Sequence, residues 1–202
     1  MSFWRKLRIS VAAAVVISII FSIVSFAKTS DEIRGEVLRI HVIANSDSDF
    51  DQQLKLKVRD AVLTEGADIF DGSVNVENAV EKITPNIDRL ECVANRVVAE
   101  NGGDYTAKIS LEKTYFNTRT YDDVTLPAGR YLAVRVVLGE GVGKNWWCVM
   151  FPPMCIPAAA DREELSDVIG EDGERLVTKD PRYEPRFKII EVYEKIKDTL
   201  TG

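Results

Sequence analysis

The chain has 202 residues, 46% of them hydrophobic and 29% charged, with a formal net charge of −6. That length and balance suit one globular domain with a small appendage. The acidic sign excludes the cationic surface that nucleic-acid binding needs, and no disulfide scaffold is required for folding.

At the N-terminus Arg5, Lys6 and Arg8 precede an uncharged run from Ile9 to Ala27, which is the layout of a secretory signal. Ser25 and Ala27 place small residues at the two positions a signal peptidase reads, so the spacing predicts cleavage after Ala27. The mature chain would then have 175 residues, and losing three cations would take its charge to −9. The same run is long enough to cross a bilayer, which takes about 20 residues, so an uncleaved anchor is the alternative. Either way the rest of the chain lies outside the cytoplasm: residues 28–157 as an α+β domain and 158–202 as a helical C-terminal extension.

Val37 to Ala44 reads as a strand, with Leu38, Ile40 and Val42 on a core face and Arg39 and His41 on a face that is at least partly wet. The run from Asn45 to Asp49 is turn and N-cap chemistry, and Leu54, Val58, Ala61 and Val62 recur at helical spacing, predicting a helix that Gly66 stops after Glu65. Ile83, Ile87, Leu90, Ala94 and Val97 mark a second helix, with Thr84 and Pro85 as its cap and first position or as a kink. Alternation predicts strands over 105–112 and 131–138, joined by a long connection from Asn117 to Gly129. A short strand over 146–150 follows a loop containing Gly139, Gly141 and Gly143, a spacing that suggests a hairpin. Residues 158–169 are weakly helical and 170–185 polar, and then Phe187, Ile190, Tyr193, Ile196 and Leu200 make a final helix. The predicted class is α+β: a largely antiparallel sheet of about four strands, two helices between the first and second strands, and a C-terminal helix.

Few residues suggest chemistry. His41 is the one histidine, so any Ser-His or Cys-His mechanism would run through it. A surface or half-buried strand histidine is the better reading. A hydrolase built instead on acids such as Glu32 and Asp60 finds no spacing that brings them together. Asp47, Asp49 and Asp51 open like a calcium loop, but Gln52 stands where the turn needs Gly and Val58 where the bidentate Glu belongs. The glycine loop ending at Lys144 has Asn145 in place of the Ser or Thr of a phosphate loop and leads into a strand. No cofactor or metal is predicted. Cys148 and Cys155 flank Pro152 and Pro153 in a chain bound for a disulfide-permissive compartment, which favours a bond between them over two buried thiols. Cys92 is left over as a free or intermolecular thiol. Trp146 and Trp147 must point to opposite faces of their strand, so only one can enter the core.

Residues 38–48, 57–62, 126–131 and 145–155 together resemble the stage II sporulation protein R family, with a weaker likeness over 186–191. Phe116 to Arg119 looks like a family segment with Asn117 in place of Pro. The resemblance implies an exported, non-enzymatic signal of endospore formation that is made in the forespore and acts in the space between the forespore and mother-cell membranes. Its implied partner is a membrane-embedded aspartic protease on the mother-cell side, which removes the pro-sequence of sigma factor E. On that reading the contact surface is expected at Trp146, Trp147, Phe151, Pro152 and Pro153, at Arg130 and Tyr131, and at the Arg39 and His41 face. The competing readings are an exported hydrolase and a passive envelope scaffold.

Overall fold

The computed structural model describes residues 3–121, 124–152 and 184–201. Helix α1 runs unbroken over Phe3–Gly35, through the expected cleavage point at Ala27. The rest of the described chain is β1 (Leu38–Ile43), α2 (Asp49–Phe70), α3 (Val76–Ile83), α4 (Ile87–Glu100), β2 (Ala107–Phe116), β3 (Arg119–Tyr121), β4 (Val124–Leu126), β5 (Gly129–Leu138), β6 (Asn145–Phe151) and α5 (Glu184–Thr201). The α+β class is as expected.

Helix α2 starts where Ser48 accepts a hydrogen bond from the Asp51 amide, with Asp49 and Asp51 in the first turn. It does not stop at Gly66 but continues to Phe70. A glycine inside a helix costs roughly 1 kcal/mol, and packing offsets that here. A β-carbon on Gly66 would lie 2.3 Å from Met150 Cε, and the extra turn buries Ile69 and Phe70, the latter against Phe151. The expected single second helix is two: α3, capped by Asn75, and α4, separated by a 3-10 turn over Thr84–Asn86. Pro85 has no N–H to continue the helical ladder, so three helices, not two, separate β1 from β2.

The main sheet has the order β2-β5-β1-β6 and is mixed. β1 runs parallel to β5 and antiparallel to β6, while β2 and β5 are antiparallel. The expected hairpin between β5 and β6 therefore does not exist, because β1 lies between them. Hydrogen bonds from Gly143 N to Ala44 O (2.9 Å) and from Lys144 N to the Asp47 carboxylate (2.8 Å) tie the crossing segment to the end of β1. The path is close: a β-carbon on Gly143 would meet the Ser46 carbonyl oxygen at 2.2 Å. The expected long connection over 117–129 contains a second small sheet, the hairpin β3–β4.

Apolar packing lies on both faces of the main sheet. On one, Leu38, Ile40, Val42, Val134 and Val136 meet α2, α3 and α4. On the other, Phe116, Tyr131 and Val149 meet the end of α1, the β3–β4 hairpin and α5 through Phe26, Leu126, Phe187 and Ile190. This second layer overturns the expectation that β1 has a partly wet face: all six β1 residues are buried. Pro153, Cys155 and the expected helix over 158–169 lie outside the described residues.

Candidate functional site

The alternation along β6 separates its tryptophans as predicted. Trp147 turns toward the hairpin layer, stacked on His41 with ring centroids 3.6 Å apart and edge-on to Phe116 at 4.8 Å. Trp146 emerges on the other side at 38% exposure, with the Arg59 guanidinium 4.2 Å from its ring centre. Such a half-desolvated cation–aromatic pair suits a contact surface.

Beneath Trp147 lies a fully buried arginine. The Arg39 guanidinium sits 3.9 Å from the Phe116 ring centre, 4.8 Å from that of Tyr131 and 5.5 Å from that of Tyr121. Arg39 Nε donates to Cys148 O at 3.4 Å, and Nη2 donates to the Tyr121 hydroxyl, which itself donates to Trp147 O at 3.1 Å. Nη1 has no partner among the described residues. Burial pushes the guanidinium below its ordinary pKa, while Tyr121 and Tyr131 act in the opposite direction. Aromatic faces and carbonyl or hydroxyl oxygens thus surround this cation, and among the described residues it forms no ion pair with a carboxylate.

His41 Nε2 lies 2.7 Å from Asn145 Oδ1, and its buried Nδ1 has no partner among the described residues. Among the described residues neither ring nitrogen is hydrogen-bonded to a nucleophile or to a carboxylate, the contacts a Ser-His or Cys-His mechanism uses. Burial pushes the imidazole below its ordinary pKa; the Asn145 bond opposes this and Arg135 adds to it. The unfolded chain therefore takes up this proton first, so stability should fall as pH drops through the free imidazole value of about 6.5. Thermal melts at neutral and mildly acidic pH should show a larger loss for the wild type than for His41→Gln. Equal losses would rule this out.

The remaining expected contact residues are placed as follows. Tyr131 is buried, its hydroxyl donating to Pro127 O at 2.5 Å. Phe151 and Pro152 are buried, as are Arg39 and His41, but on different faces: Phe151 packs on Phe70 of α2, while Arg39 and His41 face Phe116. Arg130 is exposed and pairs with Asp198 at 2.6 Å. Cys148 is buried, and the expected bond partner Cys155 lies outside the described residues. Cys92 is a free, exposed thiol. Among the described residues no group of three or more His, Cys, Asp or Glu side chains could hold a metal ion. Two of the acids that resembled a calcium loop are engaged: Asp47 accepts from Lys144 N (2.8 Å), and Asp51 accepts from Ser46 Oγ (2.5 Å), Asn45 Nδ2 (3.0 Å) and the Tyr105 hydroxyl (2.5 Å). Burial alone would raise the Asp51 pKa, but these hydrogen bonds outweigh it and hold the carboxyl below its ordinary value.

Phe116, Tyr121 and the Asp51–Tyr105 contact were not anticipated as partners of the β1 region. The available signal was Arg39 itself, a charge between two apolar residues of a strand whose neighbours proved apolar as well.

The family model for stage II sporulation protein R matches residues 34–161. The chain is also similar to the Stage II sporulation protein R of Bacillus subtilis (strain 168), 32% identical over 147 residues that cover 73% of this chain and 66% of the relative's length. No solved structure matches. The matched span holds every β-strand among the described residues and the helices α2 to α4, and on this ground the chain belongs to the stage II sporulation protein R family.

Proposed function

We propose that this chain is an exported, non-enzymatic signal of sporulation that activates a membrane-embedded aspartic protease, which then processes the pro-form of sigma factor E. The observation that carries this reading is membership of the family over the whole sheet-bearing region. A ligand of this kind acts by binding one arrangement of its target better than another, and it needs no chemistry of its own. The hydrolase alternative finds little support, because its acids are paired elsewhere: Glu32 with Lys28 and Asp60 with Arg59. In cells producing only this chain, the protease and the precursor, processing should require all three. Processing that proceeds without this chain would sink the proposal.

Export leaves two fates for α1. It is long and apolar enough to cross a membrane, which is compatible with a signal or an anchor. The helix passes Ala27 without a break, and Phe26 packs on Phe187 with centroids 5.2 Å apart. Cleavage after Ala27 would take Phe26 out of that core, which favours the retained anchor. An intact chain in the membrane fraction is the expected result; a soluble form beginning at Lys28 would count against it.

A further inference from the structure

The two ends of β2 are treated differently by the rest of the fold. Among the described residues β2 is an edge strand, paired with β5 alone, in regular register from Ala107↔Leu138 to Phe116↔Gly129. On its outer side, Ala107 N donates to Asn95 Oδ1 and Ala107 O accepts from Asn95 Nδ2, while Ile109 N donates to Glu91 Oε2. Side chains of α4 thus occupy the places a neighbouring strand would take. Because backbone groups alternate in direction, the amides and carbonyls of Leu111, Lys113 and Tyr115 also point outward. Among the described residues nothing bonds to them. Half of this edge is sealed and half is a template for a further strand.

A cavity of about 430 Å³ opens beside the unsealed half, lined by Val76 and Val80 of α3, Leu132, Lys113 and Arg130, with Glu77 at its side. Arg130, an exposed residue of the expected contact set, lines this cavity. We infer that the outer edge of β2 from Leu111 to Tyr115 is a docking site for an extended segment of the protease, which adds to the sheet as a fifth strand. This rests on the functional reading given above. The cross-strand chemistry calls for an apolar side chain opposite Leu111 and an acidic one opposite Lys113, two residues apart on the face toward the cavity. A second copy of this chain is a poor occupant, because antiparallel pairing centred on this stretch would set Lys113 against Lys113.

Lys113→Pro removes one outward N–H and leaves the bonds to β5 intact, since proline is tolerated on an edge strand where its nitrogen faces solvent. The full-length chain is co-produced with the protease and the precursor, and both co-purification of the protease and precursor processing are read. Lys113→Pro should lower both by at least about tenfold, and by clearly more than Lys113→Ala, which loses the pairing with the acidic side chain but keeps the amide. Wild-type binding and processing by Lys113→Pro would overturn strand addition alone. A wild-type chain that neither binds nor activates the protease would overturn the functional reading and this assignment with it. If Lys113→Pro melts well below the wild type, a photo-crosslinking residue in place of Lys113 decides the matter. An adduct with the protease is then expected, and a chain that activates without forming one would overturn the docking site.

Discussion

Replacing Arg39 by alanine should destabilise the folded chain by about 3–5 kcal/mol, in the range of the large buried truncations. The side chain is wholly buried and fills the space between Phe116 and Tyr131, so its loss opens a cavity bounded by rings that cannot collapse freely. It also removes the donors to Cys148 O and to the Tyr121 hydroxyl, leaving polar groups in a site without water's compensation. Arg39→Met separates the two contributions. It keeps most of the volume and discards a charge that pairs with no carboxylate among the described residues, and apolar replacements of buried charges are often tolerated. Chemical denaturation of the full chain in detergent should therefore rank wild type, Arg39→Met and Arg39→Ala in falling stability. An Arg39→Ala variant within about 1 kcal/mol of wild type would mean that the guanidinium is not embedded as described.

The same residue shows where sequence pattern stops being informative. Alternation in Leu38-Arg39-Ile40-His41-Val42 correctly identified a strand and which residues share a face. It could not say that the polar face is covered, because the cover comes from Phe116, Tyr121, the end of α1 and α5, far away in the chain. Long-range aromatic packing turns a half-polar strand into the central strand of the sheet. Similarly, the short glycine loop before β6 has the length of a hairpin turn, and the topology was decided by what the loop binds, the backbone of Ala44 and Asn45 at the end of β1. Gly66 read as a stop because propensity alone disfavours it in a helix, while the contact it permits with Met150 lies 84 positions away. The tryptophan pair was legible because a strand's period of two is strictly local. The final helix was legible for the same kind of reason, although only Phe187 and Ile190 of its apolar stripe are buried, and Tyr193, Ile196 and Leu200 remain exposed.

Arg34→Ala should cost about 3 kcal/mol and, more tellingly, should release α5 from the domain. The Arg34 guanidinium donates to Ala128 O at 2.7 Å, meets Glu194 at 3.2 Å and reaches Asp31 at 2.5 Å. The Glu194 partner is nearly buried and the Asp31 partner is largely exposed, so the contact with α5 carries more of the energy. Gly129 is part of the arrangement: at φ +145° it takes a conformation other residues avoid, and a β-carbon there would lie 2.6 Å from Arg34 Cδ. Removing the guanidinium leaves Glu194 with Lys197, at 3.9 Å, as its ion partner among the described residues. Amide exchange in α5 should then rise while exchange in β1 and β5 changes little, because those strands hold the central pairing of the sheet. Adding Glu194→Gln to Arg34→Ala should cost less than Glu194→Gln does alone, since the two groups share one interaction. Unchanged protection of α5 in Arg34→Ala would show that Phe187 and Ile190 hold the helix unaided. The expected outcome makes Arg34 the joint at which α1, the turn before β5 and α5 are locked together, so that a helix continuous with a membrane-spanning length fixes the orientation of the sheet it carries.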